Sequence, residues 1–164
     1  MSPAAIIHGT PTWVWVLLVF LLMRGFKAMK PGTTPLSKLA IIPLIFAGMG
    51  LSHLAGLSDG LVWIVTAAIG IVLGMVIAAR THFVVDPNAR TVTLAGSIVP
   101  MVLIVATFAA KFWLGFETAT ATDAASLAMY LQIGAAVSGL VAGIFAGRFL
   151  TYWKVMNAQR ALTA

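Results

Sequence analysis

The stretch GSIVPMVLIVATFAAKFWLG, Gly96 to Gly115, is almost wholly apolar and carries a single charge, Lys111. About twenty apolar residues in a row suffice for a helix to cross a hydrocarbon core of roughly 30 Å. The stretch also opens like a helix: Ser97 suits an N-cap, and Pro100 is tolerated because it falls in the first turn. A cation inside such a run is costly and is by default a functional-site hypothesis. A lysine near a helix end has a second option, in which the stem stays buried and the amine reaches the membrane surface.

The rest of the chain is written in the same style. Of 164 residues, 61% are hydrophobic and only 9% charged, with a mean hydropathy of +1.05. A soluble domain of this size needs more polar surface, so composition places the chain in the membrane class. The net charge of +6 does not form a solvated basic patch. The basic residues flank apolar runs, which points to membrane orientation and away from nucleic acid. There is no cysteine, which excludes disulfides, a thiol relay, a cysteine zinc site and covalent c-type haem attachment in this chain.

Five spans are expected, at about 11–29, 36–56, 60–79, 97–116 and 124–150, in one transmembrane domain covering 1–164. The first begins at Thr10-Pro11 and has Trp13 and Trp15 at one end and Arg24, Lys27 and Lys30 at the other. No positive charge precedes its apolar core, so it is unlike a secretory signal. Pro31 to Pro35 is expected to be a turn. Pro43 should kink the second span and free a backbone carbonyl. Asp59 is placed to cap the third span, while Thr120 and Asp123 stand at capping-box spacing before the fifth. Residues 151–164 are expected to form a polar tail.

Between the third and fourth spans, His82 to Val85, Asp86 to Ala89 and Arg90 to Leu94 read as strand, turn, strand. The fold class is therefore an all-α integral membrane protein, a bundle of five transmembrane helices with a short cytoplasmic β-hairpin between helices three and four. With the N-terminus outside, nine of the ten basic residues fall on the cytoplasmic side and Lys111 alone lies opposite. The positive-inside rule thus selects N-out, C-in.

Two ridges of small residues recur every four positions: Thr66, Gly70, Gly74 and Ala78, then Ala135, Gly139, Gly143 and Gly147. They suit close helix packing, either within the bundle or across a homodimer or larger membrane complex. Arg80 and Arg148, at the inner ends of their spans, are expected to meet lipid headgroups.

Lys111 sits one turn after Thr107 and about four residues, or roughly 6 Å, from the expected outer end of its span. Three roles are open to it. Its amine can reach the outer surface, pair with Glu117, Asp59 or a carbonyl freed near Pro43, or hold a ligand. His53 lies at comparable depth and His8 on the same side, so an outer cavity near Lys111, His53, Thr107 and Glu117 is the candidate ligand site. Two imidazoles suit haem b, although the sequence requires no cofactor. No H-E-x-x-H, G-x-S-x-G, Walker A or paired-carboxylate arrangement is present, which argues against an enzyme.

Three blocks also carry a family likeness: Thr10 to Lys27 (TPTWVWVLLVFLLMRGFK), Gly96 to Gly115, and Ala142 to Leu150 (AGIFAGRFL). Their order resembles a bacterial inner-membrane family of unknown function, distantly similar to the CcdC-like proteins. The resemblance implies a small multi-helix bundle with Gly96, Ser97, Pro100, Lys111, Gly143 and Arg148 as matched positions. It supplies no activity. The name of the distant relatives suggests cytochrome c maturation, yet a chain without cysteine cannot handle thiols. The expected function is that of a non-enzymatic accessory or partner-binding membrane subunit. The alternative is a carrier or binding protein for a small anion, lipid or haem.

Overall fold

The computed structural model describes residues 11–52 and 56–163. It contains helices α1 (Thr12–Ala28), α2 (Leu36–Ser52), α3 (Leu57–Ala79), α4 (Val99–Thr120) and α5 (Ala124–Thr163), and strands β1 (Gly32–Pro35), β2 (Phe83–Asp86) and β3 (Thr91–Leu94). Helices α3, α4 and α5 are each long and apolar enough to cross a membrane. Helices α1 and α2 have 17 residues each. That length corresponds to about 25 Å at the helical rise, the short end of the spanning range.

Helix α5 is the hub: it packs most extensively on α3, then on α2 and α4, while α1 packs on α4. Contacts set the directions. Gly139, Gly143 and Gly147 of α5 meet Trp63, Ala67 and Ile71 of α3 in that order, so these two helices run parallel. Helix α4 runs against α5, because Lys111 reaches Ser138 whereas Trp113 meets Tyr130. Helix α1 runs against α4, with Gly25 on Met101 and the Ser97 N–H donated to the Ala28 carbonyl at 3.2 Å.

The expected two-stranded hairpin is one strand larger. The sheet order is β1-β3-β2, both pairings antiparallel, with Thr33 opposite Thr93 and Val84 opposite Thr93 on the other side. Residues 32–35, expected within a turn, form an edge strand instead. Two β-branched threonines favour extended backbone, and Pro35 ends the strand at an edge, where a missing N–H is tolerated. The Thr33 and Thr93 hydroxyls share a hydrogen bond of 2.8 Å across the pair. A two-stranded ribbon is marginal in water, and the third strand and a packed face remedy that.

The packed face explains the length of α5, which does not give way to a polar tail near Leu150. It continues to Thr163 and lays Tyr152 and Met156, one turn apart, on Val85 and Val92 of the sheet and Ala78 of α3. Tyr152 and Met156 are each only 2% exposed. The Phe83 ring meets Tyr152 edge-on with centroids 4.8 Å apart. Burying side chains of this size contributes about 1.5–3 kcal/mol each. Further along, the Arg160 guanidinium donates two hydrogen bonds, 2.9 and 3.2 Å, to the Pro87 carbonyl and ties the hairpin turn to the helix.

The turns follow local chemistry. Asp86 accepts the N–H groups of Asn88 (2.9 Å) and Ala89 (3.1 Å), and Arg90 closes the turn at φ +52°. Gly96 adopts φ +84° where α4 begins, and a Cβ there would stand 2.9 Å from the Lys30 carbonyl carbon. Ser97 accepts the Val99 N–H at 3.1 Å from one residue before Ile98, the N-cap of α4. Three helix ends differ from expectation. Helix α3 starts at Leu57, with Asp59 buried in its first turn, and α4 runs on to Thr120. The cap of α5 is Asp123, which accepts the Ser126 N–H at 2.8 Å, and not Thr120. The Thr118 and Thr120 hydroxyls bond to carbonyls one turn back, which satisfies them within the last turns of the helix.

Candidate functional site

Lys111 projects from α4 toward α5. Its Nζ donates to Ser138 Oγ at 2.6 Å and to the Gly134 carbonyl at 3.1 Å, while Ser138 Oγ itself donates to Gly134 at 2.7 Å. Among the described residues no carboxylate pairs with the amine. The geometry is that of an interhelical clasp: a structural partner in kind, but none of the three partners expected from sequence. Surface reach is not what is seen. Helix α4 continues nine residues beyond Lys111 to Thr120, about 14 Å of helix. Side chains lean toward the helix N-terminus, here away from that end.

Of the companions proposed for Lys111, the two among the described residues bond elsewhere. Thr107 bonds to the Leu103 carbonyl at 2.5 Å on its own helix. Glu117 lies against the Tyr130 hydroxyl of α5. His8 and His53 lie outside the described residues. Among the described residues no three His, Asp or Glu side chains converge as metal ligands. The α4–α5 contact is completed by the Trp113 and Tyr130 rings, centroids 6.1 Å apart.

The glycine ridges face one another within the chain. A Cβ on Gly70 would stand 3.0 Å from the Gly143 Cα and would overlap the Leu140 carbonyl; one on Gly143 would overlap the Ala67 carbonyl. Gly74 meets Ile144, Gly139 meets Trp63 and Thr66, and Gly147 meets Ile71 in the same backbone-to-backbone manner. Both ridges are thus occupied by each other along this seam.

Arg80 is exposed at the end of α3, on the sheet end of the bundle. Arg148 is not at a headgroup-facing surface as expected: it is 6% exposed, on the face of α5 that also buries Ile144 and Tyr152. Its Nε and Nη2 lie 3.4 and 3.3 Å from the Tyr152 hydroxyl, and its buried Nη1 has no acceptor among the described residues. The four-residue spacing of Ile144, Arg148, Tyr152 and Met156 puts it on the stripe that the sheet and α3 cover.

At the opposite end, the Ser126 N–H beside Asp123 holds that carboxyl below its ordinary range. Ser138, Gly134 and Tyr152 were not singled out from sequence. A hydroxyl inside an apolar helix is a legible interhelical donor, so Ser138 carried a signal, but nothing local couples it to Lys111.

These features describe a class: a helical bundle, consistent with a membrane protein, whose polar interior groups tie helices together and whose one end carries a small sheet. The chain belongs to DUF6622, a family of unknown function, whose profile matches residues 3–161. Kinship with CcdC-like proteins is not shown by that match. No curated protein and no solved structure matches the chain.

Proposed function

We propose that this chain is a five-span protein of a bacterial inner membrane, N-terminus outside and C-terminus in the cytoplasm, acting as a non-enzymatic accessory subunit that presents a cytoplasmic cap to a partner protein. The observation that carries the reading is the cap itself. The sheet and the last turns of α5 hold the best-buried side chains, Tyr152, Met156 and Val92. Exposed Lys30, Lys38, Arg80, Arg90 and Lys154 belong to the same end. The alternating helix directions support five crossings, because all the short connections through β1, β2 and β3 then fall on one side. A partner has purchase there: Val84 is 70% exposed on the outer sheet face, and β1 and β2 are edge strands.

The test is a photo-crosslinking residue at Val84 in native membranes. One protein adduct is expected, and the same adduct from a second probe placed at Thr93 should be abolished by Val84→Glu. Adducts to lipid alone would defeat the accessory reading. Topology has its own test, made simple by the absence of cysteine. A single cysteine at Asn88 should be shielded from an impermeant maleimide added outside, and one at Thr122 should react.

The second reading is a carrier for a small anion, lipid or haem near Lys111 and His53. The third N–H of the Lys111 ammonium and the exposure of that residue favour it. A Soret band in the purified protein that His53→Ala removes would establish haem; a folded preparation that stays colourless when haem is added would eliminate it.

A further inference from the structure

A groove of about 440 Å³ opens at the sheet end, between the start of α2 and the β2–β3 turn. Pro35, Leu36, Ala40 and Phe149 make it apolar, and Ser37 and Arg90 supply its polar groups. We propose that this groove holds the phosphate of one anionic phospholipid, with Arg90 and Ser37 on the phosphate and an acyl chain along Leu36, Ala40 and Phe149.

Four observations lead there. The groove joins apolar and polar surface at the level where helices pass into the sheet, which is where a headgroup and its chains divide. Charge complements it: Arg90 lines it, and exposed Lys38 follows Ser37 on α2. The acid on the hairpin, Asp86, is spent on the N–H groups of Asn88 and Ala89. Among the described residues, the lining of the groove itself carries no acid. Basic pockets between helices at a membrane surface bind anionic headgroups for these reasons.

Arg90 is held for the task. Its carbonyl accepts the Leu36 N–H at 3.0 Å, which locks the hairpin turn to the start of α2, and its backbone sits at φ +52°. That conformation suits asparagine or glycine better than arginine. The chain therefore keeps a long cation where the backbone alone would favour a small residue.

The inference rests on the membrane placement proposed above, but not on the existence of a protein partner. It is tested on delipidated full-length protein in detergent by native mass spectrometry. Phosphatidylglycerol, phosphatidylcholine and inorganic phosphate are titrated separately and in competition. We expect one phosphatidylglycerol bound in preference to phosphatidylcholine, and affinity lowered about tenfold by Arg90→Asn, as loss of a charge-assisted hydrogen bond implies. Asparagine tolerates the turn, so the fold is kept, and Arg90→Lys should restore much of the binding. Lys27→Gln, in a separate groove with Met23, Phe26 and Lys30, should change nothing. Equal binding of both lipids, or binding unmoved by Arg90→Asn, would overturn the proposal. Inorganic phosphate that displaces the lipid and is itself lost in Arg90→Asn would overturn the lipid source while keeping the phosphate site. Failure of the Asn88 labelling test would instead count against the topology.

Discussion

The two sides of α5 are built on opposite plans. Toward α3, Gly139, Gly143 and Gly147 bring backbone against backbone, with no room for a methyl group. Toward α4, the contact is made by long side chains: Trp113 on Tyr130, and the Lys111 amine on Ser138 and Gly134. In lipid, apolar side chains gain nothing by leaving apolar solvent, so tight association must come from packing. The glycine seam supplies that packing over a long interface. The lysine clasp supplies a specific partner and register over a short one, and its worth as a hydrogen bond in a membrane averages only about 0.6 kcal/mol.

The sharpest way to break this contrast is Gly143→Leu. Its side chain would enter the space of the Ala67 carbonyl, and α3 and α5 would have to part. Loss of folded protein on size-exclusion chromatography in detergent is expected. Gly143→Ala should fold with a loss of about 1–3 kcal/mol, the usual range for overpacking, read from thermal or denaturant unfolding.

Tyr152 tells packing from polarity on the same helix. Tyr152→Ala removes a buried ring from the sheet core and should cost about 3 kcal/mol. Tyr152→Phe keeps the ring but leaves Arg148 without its acceptor, and about 1 kcal/mol is expected. Equal losses in the two variants would mean that the hydroxyl, not the ring, anchors the cap.

On the α4 side, Lys111→Met and Ser138→Ala should each lower stability by about 1 kcal/mol, with a double-mutant cycle showing coupling between them. Hydrogen exchange should rise in α4 and not in α3. Additive effects, or exchange that rises in both helices, would show that Lys111 and Ser138 do not form the clasp.

The smallest effect is at the start of α5. The folded-state pKa of Asp123 is depressed by the Ser126 N–H. Its contribution is therefore present above the ordinary aspartate value of about 3.9 and is lost as pH falls through the lower folded value. The protection of the Ser126 amide, relative to the intrinsic exchange rate at each pH, should fall over that acid range in the native protein. Asp123→Asn, which still caps but does not titrate, should show no such change.

Much of this arrangement was legible before any coordinates. The helices α1 to α4 lie within a few residues of the apolar runs, and β2 and β3 within the hairpin segment. Both glycine ridges lie where four-residue spacing puts them, because spacing on a helix is a local property. Strand β1 was hidden because Pro31 and Pro35 bracket it like a turn, and only Thr91–Leu94, sixty residues away, makes it a strand. The last third of α5 was hidden for a related reason. Residues 151–163 are too polar for a membrane span, and their helicity depends on Tyr152 and Met156 finding the sheet.

By itself, the sequence determined the class of protein, the ends of α1 to α4 to within a turn or so, and the faces able to pack closely. Hydropathy, capping chemistry and the size of a side chain act over one or two turns, so a single chain displays them directly. The tertiary structure alone decided that the two glycine ridges meet each other, that Arg148 is buried, and that Lys111 of the opening stretch holds α4 to Ser138 and Gly134. Those outcomes depend on which hydrogen-bond acceptors and which carbonyls a distant segment brings within 3 Å or so, and in lipid an unpaired polar group is costly enough to make that choice for the chain.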